Sequence, residues 1–161
     1  IIFYMSDWLK ISNIKFNNAT ECVSELKSKG FYVSPWIENI VKKYNYKFEK
    51  SNSPINLLRI TVKDLGFKGP TELLDIYNKI ENSDFKLVNP EIAIYSRLIY
   101  TKQPTGEWIR FATPLNSMVD TDGVPHLPKL GHALGKNFIE TYWSYPKAIF
   151  HPHNDFIVQS K

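Results

Sequence analysis

The chain has 161 residues, of which 43% are hydrophobic, 22% charged and 14% aromatic. These are the proportions of a folded globular protein, and they exclude disordered and fibrous classes. Twenty basic against sixteen acidic residues leave a net charge of +4 without any basic tail or block, and only three of the cations are arginine. That is a poor endowment for a nucleic-acid reader, whose phosphate and guanine contacts rest on bidentate guanidinium groups.

In chain order, Ile1-Ile2-Phe3-Tyr4 is apolar but too short for a signal sequence, and Met5 is a candidate start with four residues before it. Asn18 and Glu21 form a capping box that opens a helix with Cys22, Val23 and Leu26 as its apolar stripe, stopped at Gly30. Ser34-Pro35 opens a second helix on the spacing of Trp36, Ile37, Ile40, Val41 and Tyr44. Ile55 to Val62 is β-branched and apolar enough for a buried strand. A third helix after Gly69-Pro70 buries Leu73, Tyr77 and Ile80.

The second half reads as β-structure. Asn89-Pro90 opens one short helical turn, and Tyr95–Lys102 and Glu107–Thr113 form a hairpin around Gln103-Pro104-Thr105-Gly106. Asp120-Thr121-Asp122-Gly123 is another turn. Gly135-Lys136-Asn137 joins the strands His126–Leu134 and Phe138–Trp143, and Phe156–Val158 closes the chain. Helices followed by consecutive antiparallel strands define an α+β class: about three helices packed on a mainly antiparallel sheet of four to six strands, in one domain spanning residues 1–161.

The first hairpin also suggests a surface. With a four-residue loop, Leu98, Tyr100, Ile109 and Phe111 meet the core, and Arg97, Trp108 and Arg110 share the opposite face. Arg and Trp are residue types enriched at binding hot spots, so Arg97, Trp108 and Arg110 are the candidate partner-binding residues. The competing reading covers this face with a helix and makes the same side chains packing.

Other chemistry is sparse. The lone Cys22 forms no internal disulfide and lies on an apolar stripe, which points to core packing and a reducing, cytoplasmic setting. No apolar run approaches the roughly 18 residues of a membrane helix. His151, His153 and Asp155 alternate, so on an extended segment they would project together as candidate metal ligands of a hydrolase, with Pro152 against it. Lys42 to Lys50 interleaves lysines with Tyr44, Tyr46 and Phe48, the pattern of a weak nucleic-acid platform, although the simpler reading is a helix end with a packed edge. The Asp120 turn lacks the glycine and glutamate positions of a calcium loop. No nucleophile elbow, phosphate loop or zinc spacing occurs, so no catalytic residue and no cofactor is assigned.

Several segments resemble a family of small bacterial proteins without an established activity. They are Gly30-Phe31 with Val33-Ser34-Pro35-Trp36, then Val62 with Leu65-Gly66-Phe67, and Pro90-Glu91. Further on come Arg97-Leu98 with Tyr100, the run Gln103-Pro104-Thr105-Gly106-Glu107-Trp108, Asp120 with Asp122-Gly123 and Pro125, and the tail from Trp143 through Pro146, Phe150 and Pro152 to Phe156-Ile157-Val158. They cover about four fifths of the chain, and the Gln-Pro-x-Gly-Glu-Trp run is the most specific. The resemblance implies a bacterial, single-domain protein and carries over no activity; Asn89 stands where that family has cysteine, so no thiol chemistry follows. The expectation is therefore a non-catalytic binding or regulatory module, with a protein or small molecule as partner and a homo-oligomer also allowed.

Overall fold

The computed structural model describes residues 6–161; the opening residues and the candidate start at Met5 lie outside that range. Ten strands and four helices follow in the order β1 (Ser6–Ile11), α1 (Ala19–Ser28), β2 (Tyr32–Val33), α2 (Pro35–Tyr44), β3 (Ile55–Thr61), a 3-10 turn (Lys63–Leu65), β4 (Thr71–Glu72) and α3 (Leu73–Glu81). The chain continues through β5 (Phe85–Lys86), α4 (Pro90–Ile99), β6 (Trp108–Phe111), β7 (His126–Ala133), β8 (Lys136–Trp143), β9 (Ile149–Phe150) and β10 (Asp155–Ser160).

An eight-stranded, mostly antiparallel sheet in the order β1-β3-β10-β6-β7-β8-β2 is the frame, with β5 paired to one end of β10 and β4-β9 forming a separate two-stranded ribbon. Because successive side chains on a strand point to opposite faces, neighbours divide between two cores. Leu57, Ile109, Leu130, Ile139 and Ile157 pack against α1, α2 and α4, while Leu58, Ile60, Leu127, Phe156 and Val158 pack against α3. The class is α+β as expected, but there are four helices rather than three and more strands than the expected four to six.

Local rules account for the helices that the sequence marks clearly. Asn18 caps α1 by accepting the Glu21 N–H at 2.9 Å, while Glu21 reaches back to the N–H of Asn17 rather than of Asn18. Ser34 caps α2 through the Ile37 N–H at 3.3 Å, with Pro35 in the first turn. The β7–β8 hairpin closes at Ala133 and Lys136, with Leu134 and Gly135 both at positive φ, the geometry of a two-residue turn.

The expected strand Tyr95–Lys102 is instead helix as far as Ile99, the second half of α4, and irregular from Tyr100 to Lys102; α4 extends the predicted single turn at Pro90 to ten residues. Pro90, Ile92, Ala93, Ile94, Ser96 and Arg97 are all buried there. A helix buried on most sides shows no amphipathic stripe, and its isoleucines imitate a strand. β10 lies inside the sheet, antiparallel to β3, about a hundred residues earlier in sequence, and parallel to β6, fewer than fifty residues earlier.

Candidate functional site

The site is built on the loop before β7. The backbone reverses at Asp120–Gly123, where the Asp120 carboxylate Oδ1 accepts the N–H groups of Asp122 at 2.8 Å and Val124 at 2.9 Å, and Gly123 takes φ of 82°. The other carboxylate oxygen meets His126 Nε2 at 2.8 Å, and His126 Nδ1 meets the Thr141 hydroxyl on β8 at 3.0 Å. Asp120 and His126 are 3% and 4% exposed.

Hydrogen bonds to the charged carboxylate, first from His126 and then from the two amides, hold the Asp120 pKa below its ordinary value against the opposing effect of burial. An ionised Asp120 accepts only, so Nε2 of His126 carries a proton. In the neutral imidazole Nδ1 then accepts the hydroxyl proton of Thr141, leaving the threonine lone pairs for the cleft. The chemistry available is an oriented hydrogen-bonding relay that contains a general base.

Tyr44 and Tyr46 hold this loop. Their rings stack at 5.4 Å; the Tyr46 hydroxyl donates to Ser117 O at 2.5 Å, and the Tyr44 hydroxyl accepts the Val119 N–H at 3.1 Å. Lys43 Nζ donates to the Val119 and Asp120 carbonyls. The 42–50 segment thus engages its aromatics within the protein, with Phe48 buried, Tyr44 and Tyr46 half-buried, and Lys42, Asn45, Lys47, Glu49 and Lys50 outward. It does not present the stacking platform that a nucleic-acid reading requires.

Beside the relay lies a cleft of about 620 Å³ between the start of α2, the Asp120 loop and the free end of β8. Trp36 stacks over the His126 ring at 5.3 Å, and Trp143 also lines the cleft. They are 47% and 63% exposed, the chain's other two tryptophans being partly buried. Asp122, Glu140 and Lys129 supply further charge. Burial lowers the Lys129 pKa, Glu140 opposes that shift, and the positive charge of Arg110 adds to it.

The strand edge here is open. β2 pairs only Tyr32 with Phe138 and Val33 with Ile139, after which the chain turns into α2 with the Ser34 N–H on Ile139 O at 3.0 Å. Backbone direction alternates along an antiparallel strand. Glu140 and Tyr142 therefore bond toward β7, and the N–H and C=O groups of Thr141 and Trp143 face the cleft.

The residues singled out from the sequence lie elsewhere. Arg97 is fully buried on α4 and not on a strand, which separates it from Trp108 and Arg110 and corrects the proposed three-residue surface. Its guanidinium donates to Gln103 Oε1 at 2.7 Å, to the Gly131 and Phe138 carbonyls at 3.1 Å and to Tyr100 O. Burial lowers its pKa to about 10, so it stays charged at neutral pH. Trp108 and Arg110 do share a face opposite Ile109 and Phe111, but both are partly buried there. The Trp108 ring lies over Gly131, Lys129 Nζ sits 4.9 Å from it, and Arg110 stacks on Tyr142 at 4.7 Å.

His151 and His153 stack on each other at 5.9 Å, whereas Asp155 turns to Arg59, accepting from Nε at 2.5 Å. The structure does not bring the three together, and no group of three or more His, Cys, Asp or Glu among the described residues is disposed to hold a metal. Cys22 is buried on α1, and burial pushes its thiol up to about 12, outside nucleophilic range. The relay residues Asp120, His126 and Thr141 escape sequence reasoning, because only the hairpin register and the turn bring them together. Trp36, expected on the apolar stripe of the second helix, instead stands in the open at its first turn, while Ile37, Ile40 and Val41 alone are buried on α2.

Compared with known family models, curated proteins and solved structures, the chain matches none. No helix among the described residues is long and apolar enough to cross a membrane.

Proposed function

We propose that the protein is a non-catalytic binding module, working in a reducing cytoplasm, that holds its ligand in the cleft between Trp36 and Trp143. The carrying observation is convergence. The two most exposed tryptophans, an open strand edge and a buried polar relay all meet in one concavity of ligand size. Amphipathic aromatics left in water beside fixed hydrogen-bonding groups are what a recognition site requires. The test is a fragment library screened by protein-observed NMR. Hits should move the indole N–H signals of Trp36 and Trp143 and vanish in a Trp36→Ala/Trp143→Ala double variant; hits confined to other surfaces would overturn the reading.

The relay favours a second reading, in which the Thr141 hydroxyl attacks an ester carbonyl while His126, oriented by Asp120, takes its proton; the alcohol leaves as the acyl group passes to Thr141, and water then releases it as the acid. This reading expects p-nitrophenyl acetate hydrolysis that is lost in both Thr141→Val and His126→Gln. A rate no higher than that of the Thr141→Val variant removes this reading.

A further inference from the structure

Resting on the binding-module reading, we infer that the ligand is an extended, lysine- or arginine-bearing protein segment that adds as a strand along the β8 edge from Glu140 to Trp143. The backbone sets the mode. Thr141 and Trp143 present their N–H and C=O groups toward the cleft, an unpaired ladder for an incoming segment of a few residues at about 3.4 Å per residue.

Exposed edges are commonly blunted by lysines, prolines or bulges. This chain carries seventeen lysines, yet Lys129 is the only one lining the cleft, and no bulge interrupts the β7–β8 register. The edge is instead flanked by Trp36 and Trp143.

Charge selects the partner. On a chain of net +4, the cleft gathers Asp120, Asp122 and Glu140 against Lys129. Asp120 is committed to His126, whereas Asp122 is exposed and forms no ion pair among the described residues. The N terminus of α2 does little to attract an anion, because Pro35 has no N–H and the Ser34 hydroxyl already accepts that of Ile37. A cationic side chain of the added strand that points to the Thr141 and Trp143 face would meet Asp122 and the faces of the tryptophans, where cation–π attraction adds to the ion contact, and one pointing to the other face would meet Glu140 beside Lys129. A second copy fits less well, since pairing this edge with its own equivalent would bring two clefts that both carry Asp122 and Glu140 side by side.

The experiment titrates the full chain, following tryptophan fluorescence, with a blocked hexapeptide alternating lysine and valine, its glutamate–valine counterpart, and two forms of the lysine peptide N-methylated at alternate residues of either parity. The lysine peptide should bind saturably and weaken with added salt. One N-methyl parity should cost about tenfold or more, because those amides face β8, and the other should be tolerated. The glutamate peptide should not bind, and Asp122→Lys should weaken the lysine peptide severalfold without moving the unfolding midpoint.

If both N-methyl forms bind equally well, strand addition is wrong, while loss of binding in Trp36→Ala and Trp143→Ala would leave the cleft reading standing. If neither lysine nor glutamate peptide binds although fragments still occupy the cleft, the partner class alone is overturned. If the tryptophan variants bind the lysine peptide unchanged, its site lies elsewhere and the strand inference falls. Sedimentation showing a dimer that Trp143→Ala dissolves would assign the edge to a second copy and overturn the proposal.

Discussion

Two regions of the molecule use similar residues to opposite ends. In the connection from Arg97 to Trp108, polar and aromatic groups are spent on the protein itself. Gln103 donates to the Glu107 and Leu130 carbonyls, the Gly106 N–H reaches His132 O at 2.7 Å, and Glu107 accepts from Tyr100 at 2.8 Å and from Arg59 at 2.9 Å. In the cleft, one buried layer of Asp120, His126 and Thr141 is satisfied, but the layer above it stays open: Trp36, Trp143, Asp122 and the β8 edge. Hot-spot residue types therefore do not mark a binding surface by themselves. What distinguishes the two regions is whether partners within the chain already use them.

Replacing Arg97 should break the contrast most sharply. Arg97→Ala removes the donor shared by Gln103 and three carbonyls and leaves a cavity between α4 and the hairpin. We expect a loss of about 3–5 kcal/mol, read as a urea midpoint shift, with little rescue by Arg97→Lys because an ammonium lacks the fork. A loss below about 1 kcal/mol would mean that the connection is not held through this residue.

The helix that carries Arg97 and the cleft should also respond to pH with opposite sign. Glu91, at the start of α4, is buried with Oε2 unpartnered, and burial followed by the negative charge of Glu49 raises its pKa from 4.5 to about 7. Between those values the folded chain keeps a proton that the unfolded chain releases, so stability falls as pH rises through the window and is level above it. That amounts to roughly 3 kcal/mol at pH 8. Glu91→Gln should abolish this slope and raise the pH 8 midpoint; an unchanged profile would show that the carboxyl is solvated. Asp120, lowered below its ordinary 3.8, stabilises the fold above that pH, and its contribution is lost as pH falls past it. Asp120→Asn should flatten only that acid limb.

A smaller effect is expected where the rigid region meets β7. Trp108 lies opposite Gly131, and a Cβ there would come within 2.2 Å of the indole. Gly131→Ala should cost about 1–3 kcal/mol by forcing the ring away, and much less on a Trp108→Leu background, which a double-mutant cycle would record as coupling. Additive losses would mean that the ring has room to move.

The smallest change in stability belongs to the cleft. Trp143→Ala should alter the unfolding midpoint by no more than about 0.5 kcal/mol, because a side chain 63% exposed buries little on folding. A larger loss would class the cleft with the Arg97 connection, as packing rather than a free surface.

What the sequence by itself determined was local. The Asn18 and Ser34 caps, the Pro35 start and the periodicity of α3 follow from rules that act over a few residues. The β7–β8 hairpin was legible too, but its turn is Leu134-Gly135 rather than the expected Gly135-Lys136-Asn137, two of which belong to β8. The turn at Asp120 was legible for the same reason, since a short carboxylate bonds the amides two and four residues on. Only the tertiary structure decided that 95–99 is helix, because burial on most sides erased the stripe that would have revealed it. It alone carried β10 into the centre of the sheet, since strand pairing across such distances depends on the whole core and leaves no short-range mark. The site falls on the same side of that line. His126 faces Asp120 through a turn and Thr141 through a hairpin register, and Trp36 reaches them from α2. Three segments far apart in sequence become one cleft because the sheet brings their ends together and leaves the last residues of β8 uncovered.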